Sequence, residues 1–373
     1  MRIIGKNKFK NIKFTVIILL AAVCISGCSR NNKTNNEDAA LGNQNVSDVS
    51  KENTSDENSA DEGTEGGLNI RLAKEGELAD DIVMKIGDTT LTYKEAMLYM
   101  LSQKEETEVL YGGDIWDFML DDEGSTYEDK LKEKTLEDLI YLKIVCSKSA
   151  ELNIYLSEDD KMDVDEYTMD YLMNFTESQM KEYKIDNLTV KKIYTDNVLA
   201  NKIYESLTLN VDTSVSDEEA WQSVFYYIFL PKYSYDTSGN LVVFTEKELE
   251  DMKEYADEVY AKAQEGTDFY ALAKTATYDS DEIEITAGYS DIISEFADIV
   301  FSLGEGEMTP ILENASGYFI FYCKTKFDED ATYQKKEDII IGRQQEIFME
   351  SYNKWRSEAE IIINYDLWES IHF

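Results

Sequence analysis

No aromatic residue occurs between Phe14 and Tyr93, although aromatics make up 12% of the 373-residue chain. Such a stretch cannot bury enough apolar surface to offset the entropy lost on ordering it. Residues 29 to about 80 are rich in Asn, Ser, Glu, Asp and Gly, as in Asn31-Asn32-Lys33-Thr34-Asn35-Asn36. They read as a tether, and about 50 flexible residues reach roughly 40 Å. Ahead of them, Arg2, Lys6, Lys8, Lys10 and Lys13 precede an apolar run from Phe14 to Ile25. That run is shorter than the ~18–20 residues that span a bilayer, so residues 1–27 read as a cleaved export signal.

Charge narrows the function. The chain holds 36 Lys and Arg against 76 Asp and Glu, a formal −40. Nucleic acid is not an expected partner, because phosphate binding needs clustered cations. The same balance disfavours an electrostatic grip on anionic lipid. His372 is the one histidine, so a Ser-His-Asp or Cys-His centre would need the extreme tail folded into it. Four cysteines without a CxxC give no structural zinc site or disulfide scaffold. Asp121-Asp122-Glu123 and Asp159-Asp160 lack the spacing of a calcium loop. Neither a metal nor a cofactor is expected.

Ordered patterning begins near Asp81. Ile82 to Leu91 reads as a strand, a turn and a second strand, and Thr92 with Glu95 has the spacing of a capping box. A long helix is expected from Tyr127 to Leu152, with Leu131, Leu139, Leu142, Cys146 and Ala150 on one stripe. Ser157 with Asp160 opens another, and Ile193, Ala200, Ile203 and Leu207 mark a further amphipathic helix. Residues 92–208 contain no proline, which predicts several antiparallel helices. The pattern changes at Ser216. Val224 to Leu230 is a strand-like run closed by Pro231. Thr245 and Glu248 cap a helix whose stripe is Leu249, Met252, Ala256, Val259 and Ala263, and Gly266 stops it. Phe269, Ala271 and Leu272 continue into a shorter helix. Ile311-Leu312 and Tyr318 to Cys323 are further strands, giving a small α+β unit. Residues 334–373 return to helix, with a strand-like tail at 361–365 that is expected to pack back on the first helical domain.

Several spaced motifs carry a resemblance. Ile25-Ser26-Gly27-Cys28 resembles the lipobox of bacterial lipoproteins, which implies acylation of Cys28 and an extracytoplasmic, membrane-anchored protein. Removal of residues 1–27 would leave 31 cations against 76 acids, −45. Residues 263–274 follow a helix, Gly266, Asp268-Phe269 and Leu272-Ala273-Lys274 pattern, and Tyr278-Asp279-Ser280-Asp281 falls where an aromatic-Ser-x-Asp element belongs. Phe296 to Ile311, with Phe301, Leu303, Gly306-Glu307 and Thr309-Pro310, and then Gly317-Tyr318, complete the series. This pattern resembles the parvulin-type peptidyl-prolyl isomerases, and the whole chain resembles PrsA-type foldase lipoproteins with a SurA-like helical chaperone domain. The resemblance implies an α+β, discontinuous helical chaperone domain with an inserted parvulin-like α/β domain. Its parts would be the signal (1–27), a lipid-anchored disordered linker (28–80), helical segments at 81–215 and 328–373, and the insert at 216–327.

The site departs from that family. Where the family has two histidines, this chain has Tyr227 and Phe319, and its Gly-rich turn is reduced to Ala287-Gly288-Tyr289-Ser290-Asp291. What the resemblance still implies is Asp281 and Ser316 as catalytic groups, with Ile292, Phe296, Tyr227 and Phe319 binding substrate. A plainer reading of the same residues makes Tyr227 and Phe319 core side chains and Asp281 a cap. The expected function is a foldase or holdase for unfolded, newly secreted polypeptides, with isomerase activity weak or absent. An active isomerase with a modified site and a non-catalytic binding lipoprotein are the alternatives, and a homodimer is compatible with either. Tyr99, Met100, Tyr167, Met169, Tyr171 and Met173 supply either an adaptable contact surface or ordinary core.

Overall fold

The computed structural model describes residues 69–121, 124–237, 239–278 and 283–372. The signal, most of the tether, Cys28 and Asp281 lie outside the described residues. The chain divides into two compact units, Met1–Asn210 with Gln345–Phe373, and Val211–Gln344.

The first unit opens with three strands, β1 (Asn69–Leu72), β2 (Ile82–Ile86) and β3 (Thr89–Thr92). β1 lies inside the stretch read as linker 28–80, so order begins earlier than composition suggests. Helices follow as α1 (Tyr93–Tyr111), α2 (Tyr127–Ser147), α3 (Ser149–Leu152), α4 (Glu158–Leu172), α5 (Glu177–Glu182) and α6 (Asn187–Thr208). Reciprocal caps set the starts of α1 (Thr92 with Glu95), α2 (Thr126 with Asp129), α4 (Ser157 with Asp160) and α5 (Thr176 with Gln179). The helix expected over 127–152 is broken at Lys148. There the Ser147 hydroxyl donates to the Ile144 carbonyl (2.6 Å) and the Lys148 N–H bonds three residues back, to Val145. Cys146 is buried in the core and Ala150 is exposed.

Three helices are tied together by a buried cation. Lys143 on α2 is 1% exposed, and its Nζ donates to Glu95 Oε1 of α1 (2.8 Å) and Asp196 Oδ2 of α6 (2.6 Å). Burial alone would lower the Lys143 ammonium; the Asp196 and Glu95 carboxylates outweigh it and hold it above the ordinary lysine range. Glu95 Oε2 meanwhile accepts from the Thr92 N–H and hydroxyl, both at 2.9 Å. One carboxylate thus closes a helix start and neutralises a buried charge.

The second unit begins with α7 (Asp217–Ala220) and β4 (Ser223–Pro231), then β5 (Tyr233–Tyr235), β6 (Leu241–Val243), α8 (Glu246–Gln264), α9 (Phe269–Ala276), β7 (Glu284–Ala287), α10 (Ser294–Ser302), β8 (Leu312–Glu313) and β9 (Gly317–Thr325). Its sheet runs β7-β4-β9-β8, antiparallel throughout. Ala256 and Val259 of α8 and Leu272, Ala273 and Ala276 of α9 bury one face against Ile228, Leu230, Tyr318 and Ile320. Phe296, Ala297 and Val300 of α10 bury the other face.

The chain then enters α11 (Glu329–Glu358), and β10 (Glu360–Ile363) and α12 (Tyr365–Glu369) follow. The sequence reading set the insert at 216–327, and the second compact unit spans 211–344. The first turns of α11 belong to the second unit because Thr332 Oγ1 accepts from the Gln222 N–H (3.2 Å) and Arg343 pairs with Glu219 (2.6 Å). β10 lies between β1, to which it is parallel, and β2, to which it is antiparallel. Residues from both ends of the sequence therefore share one sheet. Phe348, Tyr352, Trp355 and Trp368 join the core of that first unit.

Lys143→Met is expected to lower the stability of the first unit by about 3–5 kcal/mol, because it leaves two buried carboxylates facing each other. Urea unfolding followed by circular dichroism reads the effect, and Lys161→Ala, which removes the exposed Lys161–Glu158 pair, is expected to leave the midpoint unchanged.

Candidate functional site

The β4–β9 ladder places the site. Its register sets Phe225 opposite Cys323, Tyr227 opposite Phe321, Phe229 opposite Phe319 and Pro231 opposite Gly317. Side chains alternate along a strand, so these residues share one face, and Tyr226, Ile228, Leu230, Tyr318, Ile320 and Tyr322 take the other. The run Val224 to Leu230, read from the sequence as a strand, is thus divided between two cores.

On the first face the rings form a continuous array. Phe229 and Phe319 stack at 4.7 Å, Tyr227 and Phe321 at 6.0 Å, and Phe319 and Phe321 at 6.4 Å. Phe296 of α10 closes on Phe319 at 5.4 Å. Phe296 is only 3% exposed and Ile292 is also buried, whereas Tyr227, Phe229 and Phe319 are half-buried. The structure therefore brings together four of the residues singled out in the sequence: Tyr227, Phe319, Phe296 and Ile292. It adds Phe229 and Phe321, which sequence reasoning missed. Their signal was present as the alternate positions on either side of Tyr227 and Phe319.

Ser316 stands elsewhere. It lies in the β8–β9 turn, where its hydroxyl donates to Asn314 Oδ1 (2.7 Å) and its N–H donates to the same atom (2.9 Å). That turn is roughly 10 Å along the strand from Phe319. Its neighbour Gly317 explains the Gly-Tyr motif, because a Cβ there would lie 2.3 Å from the Leu230 carbonyl oxygen of β4. Close approach of two backbones accounts for the glycine at 317.

Backbone hydrogen bonds cover the edge of β4 beside the rings. The Phe229 N–H donates to Thr277 Oγ1 (3.0 Å), the Tyr278 N–H to the Phe229 carbonyl (2.9 Å), and the Tyr227 N–H to the Ile283 carbonyl (3.0 Å). Asp281 belongs to the four residues between these anchors that lie outside the described set.

The array can hold apolar and aromatic groups, and the Tyr227 phenol is the polar side chain among its rings. Cys323 shares the face but is fully buried, and burial pushes its thiol up, so it is no nucleophile. Among the described residues no group of three or more His, Cys, Asp or Glu is placed to hold a metal ion.

In the first unit the aromatic and methionine residues divide. Tyr99 and Met100 are buried in the core, Tyr167 and Tyr171 are half-buried, and Met162, Met169 and Met173 are exposed. Val109, Leu110, Tyr111, Phe118, Met119 and Leu120 are also exposed, which the helical periodicity did not mark.

Residues 235–325 match the rotamase family model, described as a PPIC-type PPIase domain. Along most of its length the chain is similar to the foldase protein PrsA of Clostridium tetani (22% identical, covering 75% of this chain and 85% of the relative). It is similar to that of Clostridium acetobutylicum at 25% identity, covering 74% and 85%. The chain is thus similar to the PrsA-type parvulin foldases. Among solved structures, it is similar to PrsA from Bacillus cereus at 18% identity, with a TM-score of 0.30 over 68% of this chain and 91% of that one. The matched segment runs from the end of β5 to β9 and contains Phe296, Phe319 and Phe321 of the ring array, whereas Tyr227 and Phe229 of β4 precede it.

Proposed function

We infer that this foldase works outside the cytoplasm, held to the membrane by an acylated Cys28. There it binds unfolded, newly secreted polypeptides while turning over prolyl bonds poorly. The observation that carries the reading is the composition of the ring face: at the two positions where the resemblance implies histidines stand Tyr227 and Phe319, stacked among Phe229, Phe321 and Phe296.

Prolyl isomerisation breaks no covalent bond. Its barrier is ~18–20 kcal/mol because twisting the amide destroys its resonance. A catalyst must bind the twisted amide better than the planar one. Rings grip the pyrrolidine in both states equally, which gives affinity without acceleration. Acceleration needs polar groups aimed at the changing charge on the carbonyl. Tyr227 can donate one hydrogen bond there and Phe319 none. Loss of one preorganised donor typically lowers turnover by about 10²–10³-fold. Asp281, carried by the resemblance, is the remaining acidic group of the proposed site, and Ser316 is left out because its hydroxyl closes a turn.

The first unit offers apolar surface of its own to clients. Exposed Met162, Met169 and Met173 repack around varied partners, and the exposed residues between Val109 and Leu120 add apolar area. A chain of net charge −40 attracts cationic clients and repels acidic ones.

Three measurements test this reading. In a protease-coupled assay on a proline tetrapeptide, turnover is expected at least about 100-fold below that of a two-histidine parvulin. The paired change Tyr227→His with Phe319→His is expected to raise it. Comparable turnover in the unmodified protein contradicts the reading, as does failure of a stoichiometric amount to suppress aggregation of an unfolded cationic client. For the anchor, Cys28→Ser is expected to abolish incorporation of a labelled fatty acid and release the protein from membranes; a label that persists removes Cys28 as the site.

A further inference from the structure

β5 and β6 form a sheet of their own among the described residues, pairing Tyr233 with Val243, Ser234 with Val242 and Tyr235 with Leu241. The Phe244 N–H donates to the Lys232 carbonyl (3.0 Å) and the Asp236 N–H to the Asn240 carbonyl (2.9 Å). In an antiparallel ladder the bonded pairs recur at every second residue. Ser234 and Val242 are therefore the bonded pair between them, and the N–H and C=O groups of Leu241 and Val243 point away from β5. Edge strands are ordinarily blunted by lysine, proline, a bulge or a covering element. β6 reads Leu-Val-Val and, among the described residues, has none of these. Leu241, Val242 and Val243 are 54%, 46% and 68% exposed, and among the described residues β6 pairs with β5 alone.

The hairpin continues the ring array. Tyr233 lies 6.5 Å from Phe229 and 5.8 Å from Tyr235, and Phe229 stacks on Phe319. Outward backbone groups repeating along a strand select an extended polypeptide over a helix, a lipid or a small molecule. Charge selects its composition. From Tyr233 to Glu258 there are eight acidic and two basic residues, and the neighbouring Lys232 is already paired with Glu313 at 2.7 Å. A second copy of the chain would bring two bodies of −40 together, which disfavours it as the occupant.

We propose that β6 is an acceptor edge, to which an extended polypeptide segment bearing lysine or arginine adds as a third strand beside the ring array. This rests on the reading of the chain as a binder of unfolded polypeptide and names the backbone that receives it. Main-chain hydrogen bonds supply sequence-tolerant affinity, and the exposed valine and leucine side chains favour alternating apolar residues in the guest.

The test uses the full chain and a fluorescein-labelled, end-blocked peptide of alternating valine and lysine, read by anisotropy. Val243→Pro removes an outward donor and leaves the internal hairpin bonds, and the extended residue before it suits a proline. Losing that hydrogen bond and the edge geometry is expected to weaken binding by about 10-fold. Val243→Thr, which keeps the N–H, is expected to retain affinity. A copy of the peptide N-methylated at every amide is expected to bind weakly to all three proteins. Equal affinity of Val243→Pro and the unmodified chain overturns the proposal, as does undiminished binding of the N-methylated peptide. If Val243→Pro binds the peptide as the unmodified chain does and still suppresses client aggregation, the edge falls and the client-binding reading stands. If the unmodified chain neither binds the peptide nor suppresses aggregation, both fall.

Discussion

The pairing of β4 with β9 holds the candidate site in place. Two strands separated by almost a hundred residues meet in a register that puts Phe229 against Phe319 and Tyr227 against Phe321. A slip of one residue would turn every ring to the opposite face and bring Tyr226, Ile228 and Leu230 into the array. Gly317 protects that register at its end, where any side chain would strike the Leu230 carbonyl. The packing on the far face, with Ala256, Val259 and Ala273 against Ile228 and Ile320, is built from residues that would not fit the ring face. Position along the sheet and chemistry of the site are therefore one constraint.

The first unit solves a different problem. Its core is continuous from Val83 to Trp368, yet it contains Lys143 with Glu95 and Asp196. Buried ion pairs add little net stability compared with an apolar core, but breaking one is costly. Here the pair fixes which helices meet. Asn197 donates to both the Tyr99 hydroxyl (2.8 Å) and the Ile193 carbonyl (2.9 Å) beside it, so the polar interior is specified as well as compact. Large exposed apolar residues at Val109, Phe118, Met169 and Met173 sit on this ordered frame.

Local signals were legible and long-range ones were not. Thr92-Glu95, Ser157-Asp160 and Thr245-Glu248 marked helix starts because capping is a contact between neighbours in sequence. β1 was invisible because its four residues have meaning only beside β10, nearly three hundred positions away. β7 and α10 were passed over since Glu284–Ala287 is half polar and Ser294–Ser302 carries no side-chain cap. Tyr227, Phe296, Ile292 and Phe319 were found through motif spacing, and the structure draws them together. Ser316 lies in the β8–β9 turn, and a motif position does not reveal that Asn314 accepts from its hydroxyl. The hairpin β5–β6 escaped because Tyr233–Tyr235 and Leu241–Val243 are three residues each, shorter than the alternation that identifies a strand.

The central claim is that an aromatic face without imidazoles receives foreign polypeptide. It is tested most directly by replacing Phe319 with a photoreactive benzoylphenylalanine and irradiating the full chain with a permanently unfolded cationic polypeptide. A covalent adduct at position 319, lost when excess unlabelled client competes, is the predicted result. Adducts obtained only from the same probe at Met173, with none at 319 or at 229, would contradict it.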